Sequence, residues 1–154
     1  MGRGYFKSRI KSRQFGGMVK MISKITDQIY IGDQVDATNK ELLEQLNFNC
    51  ILNLNDREDL DEEKISKQLG INYIVYKIPE KKQFKIRLHE ASEILKNLED
   101  TKYDKILVHC EAGIDRAPFV VALYLSKKLN VPIHKAYNIV KYFRPQTFVH
   151  TEWI

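Results

Sequence analysis

The sequence has few cysteines and no long hydrophobic run. Only Cys50 and Cys110 are present among 154 residues, which excludes a disulfide scaffold and indicates a reducing, cytoplasmic environment. No stretch approaches the roughly 20 apolar residues of a membrane-spanning helix, and no internal repeat or low-complexity block is present. The length and a hydrophobic fraction of 44% instead predict one domain with a real hydrophobic core, in which Cys50 is a buried structural thiol.

Positive charge is concentrated near the N terminus. The formal net charge is +5, and the basic residues among the first twenty are Arg3, Lys7, Arg9, Lys11, Arg13 and Lys20. We predict a basic, flexible, solvated segment over residues 1–21, or alternatively a basic arm for lipid headgroups or nucleic acid. The rest of the chain is close to neutral, so charge alone does not predict a nucleic-acid partner.

Strand and helix patterns alternate along the chain. Strands are predicted at 25–31 (an exposed edge), 50–54, 71–78 and 105–108, and helices at 61–69, 84–98, 117–129 and 133–143. A further helix ends at Leu46, with Thr38 as its N-cap and Glu41 completing a capping box. This order predicts an α/β fold with a mainly parallel, about five-stranded twisted sheet flanked by helices on both faces. Ligands of such sheets bind at the carboxyl ends of the strands.

The segment after the last predicted strand has the pattern of a phosphate-binding loop. A strand is followed by a Cys, five residues and an Arg that opens a helix: His109-Cys110-Glu111-Ala112-Gly113-Ile114-Asp115-Arg116-Ala117-Pro118. Gly113 can take the positive φ of a tight loop, and Pro118 suits a first helical turn. The N–H groups of residues 111–116 can then converge at the positive end of the helix, so Glu111, Ala112, Gly113, Ile114, Asp115 and Arg116 are predicted to bind substrate.

The same positive field acts on the sulfur of Cys110. A thiol beside an arginine and a helix N terminus ionises readily, so Cys110 is predicted to be a thiolate nucleophile at neutral pH. Arg116 is predicted to bind two equatorial phosphate oxygens at once, which Lys cannot do. The chemistry indicated is in-line attack, a phosphocysteine intermediate and its hydrolysis by water. No metal or other cofactor is expected, and a phosphate or sulfate ion is expected to fit the loop.

On these residues the chain resembles the dual-specificity branch of the protein tyrosine phosphatases, whose loop is His-Cys-x-x-Gly-x-x-Arg. The resemblance covers roughly residues 22 to 150 and includes 22–53, 76–79, 123–125 and 136–145. It implies a protein tyrosine phosphatase-like catalytic domain over residues 22–154 that hydrolyses phosphotyrosine, and often phosphoserine or phosphothreonine, in phosphorylated proteins without a cofactor. Family members usually have Ser or Thr where this chain has Ala117. Because Ala117 has no hydroxyl, we predict slow breakdown of the intermediate. The same Ala-Pro ending also occurs in phosphatases of regenerating liver.

The resemblance leaves the general acid open. The family places an Asp shortly after the Ile-Pro of the preceding strand, but here the matching position is close to Lys82. Asp115 is the first candidate, because myotubularin-type lipid phosphatases have an Asp proposed as the acid at this loop position. The alternatives are Glu80, Asp56 or Asp59, or no acid at all.

Two other functions remain to be weighed. An RNA 5′-triphosphatase of the same fold would need no strong acid, since a diphosphate leaves easily, and the basic N terminus would hold RNA. A phosphate-binding pseudophosphatase would explain Ala117 and Lys82, but binding alone does not require Cys110. The histidines outside the loop have no metal-ligand spacing and are predicted to be structural: His89, His134 and His150.

Overall fold

One five-stranded sheet forms the centre of the computed structural model, which describes residues 22–57, 59–101 and 103–154. The strands are β1 (Ser23–Lys24), β2 (Ile29–Gly32), β3 (Cys50–Asn53), β4 (Asn72–Val75) and β5 (Ile106–His109). Their spatial order is β1-β2-β5-β3-β4, with β1 antiparallel to β2 and every other pair parallel. The predicted basic segment over residues 1–21 lies outside the described residues. The predicted mainly parallel α/β sheet is confirmed.

Helices cover both faces of this sheet. They are α1 (Lys40–Leu46), α2 (Leu60–Gln68), α3 (Phe84–Asp100), α4 (Arg116–Leu129) and α5 (Ile133–Phe143), with short 3-10 turns at Asp36–Thr38 and Thr151–Trp153. Side chains alternate along a strand, so Ile106 and Val108 of β5 enter the core with α3, α4 and α5, while Leu107 enters the second core with α1 and α2. Among the described residues, no helix combines the length and apolar character that a membrane crossing requires.

The parallel strands end in one row. His109, the last residue of β5, pairs with Gly32 of β2 on one side and with Asn53 of β3 on the other. Asn53 in turn pairs with Val75 of β4. Because β5 lies between β2 and β3, the chain that leaves His109 emerges at the middle of the carboxyl edge, where open α/β sheets bind ligands. The loop over residues 110–115 occupies this place and ends where α4 begins.

Two local predictions were wrong at the N-terminal side of the sheet. The predicted single edge strand over 25–31 is a hairpin, because Oγ1 of Thr26 accepts hydrogen bonds from the N–H groups of Gln28 and Ile29 and turns the chain. The second strand of this hairpin, β2, is interior rather than an edge. The N-cap of α1 is Asn39 rather than Thr38, since Oδ1 of Asn39 accepts from the N–H of Leu42, and Asn is a stronger N-cap than Thr.

Candidate active site

The loop after β5 places Cys110 and Arg116 at its two ends. Cys110 follows the last residue of β5, and Arg116 is the first residue of α4. The N–H of Ala117, in the first turn of α4, points at Sγ of Cys110 from 3.5 Å. Gly113 has a φ of 69°, the positive value expected for it. Cys110 is only 1% exposed, so its sulfur lies deep in the loop, against the positive end of a helix.

Three carbonyl groups of the loop point outward. Those of Glu111, Gly113 and Ile114 accept hydrogen bonds from Gln34 N–H (2.9 Å), Arg144 Nε (2.7 Å) and Phe148 N–H (2.9 Å). In a planar trans peptide the N–H points opposite to the C=O. The N–H groups of Ala112, Ile114 and Asp115 are therefore directed away from these outer donors, into the loop. This orientation is what an anion-binding nest requires.

Arg144 is a buried support of the loop that no sequence pattern indicated beyond its place at the end of α5. It is 2% exposed, and its guanidinium also donates to Oγ of Ser23 (3.0 Å) and the carbonyl of Ile31 (3.1 Å). Burial lowers the pKa of Arg144, while the nearby charges of Asp36 and Asp33 counteract this. A Cβ on Gly113 would lie 2.4 Å from the carbonyl oxygen of Gly32 and 2.7 Å from Nη2 of Arg144. Glycine is therefore required there by space as well as by φ.

His109 and Glu62 form a buried pair behind the nucleophile. Nε2 of His109 lies 2.5 Å from Oε2 of Glu62, Nδ1 lies 3.0 Å from the carbonyl oxygen of Cys110, and both side chains are fully buried. A carbonyl oxygen only accepts hydrogen bonds, so Nδ1 donates to it. Gln34 donates from Nε2 to the other Glu62 oxygen at 2.7 Å. This network fixes the orientation of the peptide between Cys110 and Glu111. Glu62 was not among the predicted site residues.

The predicted acid candidates separate into two groups. A cavity of about 470 Å³ lies beside Arg116, and its wall consists of Asp56, Pro79, Glu80, Lys81, Asp115, Arg116, His150 and Trp153. Asp115, Glu80 and Asp56 thus share one cavity. Asp59 instead caps α2, where its Oδ1 accepts from the N–H groups of Asp61 and Glu62. The carboxylate of Glu111 is bound by Nη2 of Arg57 at 2.9 and 3.1 Å.

His150 belongs to the same cavity, although the sequence predicted only a structural histidine. Its Nε2 lies 2.6 Å from Oδ1 of Asp115, and its Nδ1 lies 2.7 Å from Oε2 of Glu152. Burial acts to lower the pKa of His150, but the hydrogen bonds to these two carboxylates outweigh burial and raise the pKa above its usual value. The two residues meet across 35 positions of sequence, a separation at which no local pattern reveals a contact.

Comparisons with known proteins agree with this geometry. Residues 29–154 match a family model described as "Dual specificity phosphatase, catalytic domain". A probable dual specificity protein phosphatase of Dictyostelium discoideum is 33% identical over 125 residues, which cover 77% of this chain and 54% of that protein. Protein phosphatase Slingshot homolog 1 of Homo sapiens is 30% identical over 131 residues, which cover 85% of this chain and 12% of that protein. The chain therefore spans about half of the first relative and a small part of the second.

A solved structure shares the fold. The crystal structure of human DUSP28 matches with a TM-score of 0.71 and 14% sequence identity, covering 88% of this chain and 89% of that one. At this identity the match shows a common fold alone.

Proposed function

Because the chain belongs to the dual specificity phosphatase family, we propose that it hydrolyses phosphotyrosine, and also phosphoserine or phosphothreonine, in phosphorylated proteins. The observation that carries the proposal is the loop between β5 and α4. It has a thiol at one end, an arginine at the other, and peptide N–H groups turned inward between them. That combination suits a phosphoryl dianion and a sulfur nucleophile.

Cys110 attacks phosphorus in this proposal, and the bond to the leaving oxygen breaks to give a phosphocysteine. The N–H of Ala117 already faces Sγ, and a donor in this position stabilises a thiolate. Arg116 and the N–H groups of residues 111–116 hold the equatorial oxygens, and a free phosphate or sulfate ion would occupy the same positions. Water then attacks phosphorus and releases inorganic phosphate.

Asp115 is the carboxylate that we propose for proton transfer to the leaving group. It lies next to Arg116 in sequence and lines the same cavity, as do Glu80 and Asp56. Asp59 is a weaker candidate because its side chain is engaged as the N-cap of α2. Lys82 lies close to the position where the resemblance places an acidic residue, and it cannot protonate a leaving group as an aspartic acid would.

We also propose that the protein works in the reducing environment of the cytoplasm. Both cysteines are free and buried. A phosphatase whose nucleophile is a thiolate must keep that sulfur reduced, because oxidation or disulfide formation removes the nucleophile.

Activity measurements on four substrates test the proposed function. The purified protein and a Cys110→Ser variant would be assayed on p-nitrophenyl phosphate, phosphotyrosine and phosphoserine peptides, and triphosphorylated RNA. We expect phosphate release from the aryl and peptide substrates, and none with Cys110→Ser. A Cys50→Ala variant is the matched control, because it removes the other buried thiol, on β3, and should remain active.

The remaining outcomes identify the other two functions. Release from RNA but not from the phosphopeptides would indicate the RNA 5′-triphosphatase. No release from any substrate, together with binding of phosphopeptides, would indicate the pseudophosphatase. Release that is unchanged in Cys110→Ser would refute the thiolate mechanism itself.

A further inference from the structure

Both ring nitrogens of His150 face carboxylate oxygens. Nε2 contacts Asp115 and Nδ1 contacts Glu152, at 2.6 and 2.7 Å. An ionised carboxylate can only accept hydrogen bonds, so each ring nitrogen must carry a hydrogen for both contacts to be favourable. The geometry thus describes an imidazolium held between two carboxylates. These hydrogen bonds also raise the pKa of His150 against the opposing effect of burial.

The orientation of this imidazolium is set by aromatic packing. Its ring stacks on the indole of Trp153, with centroids 3.7 Å apart and planes inclined by 7°. Trp153 packs edge-on against Phe119 of α4 and Phe84 of α3. The backbone N–H of His150 donates to Oη of Tyr137, on α5, at 3.0 Å. Three helices therefore hold the ring with its Nε2 edge toward Asp115.

Both Asp115 and His150 line the cavity, and Asp115 is the more exposed of the two. Its side chain is 44% exposed, whereas that of His150 is 16% exposed. An aspartate paired with an imidazolium is itself a carboxylate, so it has no proton of its own to give to a leaving group. In this geometry the proton is on Nε2 of His150, which lies against Oδ1 of Asp115.

We propose that Asp115 and His150 act as one proton-donating pair, in which His150 holds the proton and Asp115 passes it to the leaving oxygen. The inference rests on the proposed phosphatase function and supplies the acid that is absent near Lys82. In this proposal Asp115 is the catalytic residue of the pair, because it passes the proton directly to the leaving oxygen. His150 acts through it as a positioning and proton-holding residue.

The step balances in protons and bonds. As Sγ of Cys110 bonds to phosphorus and the phosphorus–oxygen bond of the substrate breaks, one proton leaves Nε2 of His150. Oδ1 of Asp115 accepts this proton, and the Asp115 carboxyl group donates a proton to the leaving oxygen, which departs as a neutral alcohol or phenol. His150 becomes neutral. In the second step water bonds to phosphorus, the sulfur–phosphorus bond breaks, and the proton of the water returns by the same route.

Other charged groups surround the pair and must be separated from it by experiment. The ones that share its cavity are Asp56 and Glu80, which are acidic, and Lys81 and Arg116, which are basic. Arg116 and Lys81 place positive charge beside the pair. The two carboxylates are the competing acids, and Glu80→Gln is the variant that tests one of them.

Variants of the pair, assayed on substrates with poor and good leaving groups, give the decisive measurement. General acids contribute about 10²–10⁴-fold when the leaving group is poor, so His150→Gln and Asp115→Asn should each lose at least 10²-fold in kcat/KM on phosphotyrosine peptide. On p-nitrophenyl phosphate, whose leaving group needs no proton, both should keep most of their activity. The double variant should lose no more than either single variant, since the two residues act as a unit. His134→Gln, an exposed histidine on α5, is the matched control.

A pH profile distinguishes proton donation from simple support of the fold. With phosphotyrosine peptide, kcat/KM of the wild-type protein should decline at high pH as His150 loses its proton. That decline should be missing in His150→Gln, and also in the wild type with p-nitrophenyl phosphate. The proposed proton-donating pair would be refuted if the variants lost kcat/KM equally on both substrates, or if His150→Gln behaved like the wild type. It would also be refuted if Glu80→Gln lost activity selectively on phosphotyrosine peptide. Failure of the wild type to release phosphate from either substrate would refute the proposed function as well.

Discussion

The guanidinium of Arg116 donates a hydrogen bond from Nη1 to the carbonyl oxygen of Ile78, at 3.0 Å. Ile78 is fully buried and precedes Pro79, Glu80 and Lys81 in the cavity wall. The bond therefore joins the loop that holds Cys110 to the 79–81 segment of the cavity wall. Under the proposed function, an incoming phosphate would compete with this carbonyl for the N–H groups of Arg116, which would couple binding of the anion to the position of the 79–81 segment.

Replacing Arg116 by lysine should impair catalysis while sparing the fold. Lysine keeps the positive charge but lacks the planar fork that binds two phosphate oxygens. Loss of one aimed donor in a transition state typically costs about 10²–10³-fold in rate, and we expect a drop of that size in kcat on p-nitrophenyl phosphate. Because Arg116 is only half-buried, thermal unfolding should change little.

Arg57→Lys is the control for this substitution. Arg57 is exposed and pairs with Glu111 outside the cavity wall, and exposed pairs contribute at most about 1 kcal/mol. Its rate should stay close to that of the wild type. If Arg116→Lys were as active as Arg57→Lys, the positive charge at position 116 would be sufficient, and the planar guanidinium would not be needed for catalysis.

Most features that were predicted correctly from the sequence depend on residues close together in the chain. Helix α5 was predicted with its observed bounds, Ile133–Phe143, because hydrophobic period and a closing Arg-Pro are local signals. The course of the loop was predictable for the same reason, since Gly113 and the strand–loop–helix order lie within ten residues. The hairpin of β1 and β2 is an exception. Its turn depends on hydrogen bonds to Oγ1 of Thr26 from residues only two and three positions away, but the apolar–polar alternation over 25–31 predicted a continuous strand instead.

The supports of the loop lie beyond such local signals. Arg144 reaches Gly113 across 31 positions, Glu62 reaches His109 across 47, and His150 reaches Asp115 across 35. These contacts exist only because α2, α5 and the C-terminal turn pack around the carboxyl edge of the sheet. A single sequence does not distinguish a buried charged side chain from a solvated one. The role of these residues could therefore be recognised only once the structure showed that they are buried and what they contact.

A serine at position 117 should speed up the second half of the reaction. In wild type the N–H of Ala117 faces Sγ of Cys110 at 3.5 Å, and the methyl side chain has no further donor for a departing thiolate. A hydroxyl there can supply one charge-assisted hydrogen bond, worth about 1.5–3 kcal/mol, or roughly tenfold or more in hydrolysis of the phosphocysteine. Rapid-quench kinetics with p-nitrophenyl phosphate should show a burst in the wild type and a smaller burst in Ala117→Ser. A wild-type time course without a burst would mean that formation of the intermediate is already the slower step.

Alanine at Gly113 should destabilise the protein and abolish activity together. The positive φ of 69° costs a non-glycine residue about 1–2 kcal/mol. The added Cβ would also lie 2.4 Å from the carbonyl oxygen of Gly32, a backbone atom that cannot move without disturbing β2. We expect urea unfolding to show a loss in the free energy of unfolding that is well beyond the cost of the positive φ alone. Turnover of p-nitrophenyl phosphate should fall below detection.

Gly70→Ala separates the two causes. Gly70 has a similar φ of 72°, but a Cβ added there would meet no atom within 4 Å beyond its neighbours in the chain. This variant should therefore show the conformational cost alone, about 1–2 kcal/mol, and keep its activity. The difference between the two variants measures the close approach of the loop to β2. If Gly113→Ala were no less stable than Gly70→Ala, the loop would have to relax away from Gly32 at little cost.

The paired imidazolium should also appear in the pH dependence of stability. Hydrogen bonds to Asp115 and Glu152 raise the pKa of His150 in the folded protein above its usual value of 6.5. A raised folded-state pKa means that the native state binds the proton more tightly, so the stabilising contribution is complete below pH 6.5 and is lost as pH rises through the folded pKa. Urea unfolding of wild type and His150→Gln should therefore differ most near pH 6, with the wild type more stable, and the difference should shrink toward pH 9.

His134→Gln provides the reference for that series, because His134 is exposed at the start of α5 and its replacement should leave the pH dependence unchanged. Glu152→Gln should weaken the effect without removing it, since Asp115 still holds Nε2 of His150. A difference between wild type and His150→Gln that grows with pH would have the opposite sign, and would mean that the folded state favours a neutral imidazole. In that case Asp115 and Glu152 could not both be ionised acceptors of its ring hydrogens, and the proton would have to be on one of the carboxyl groups.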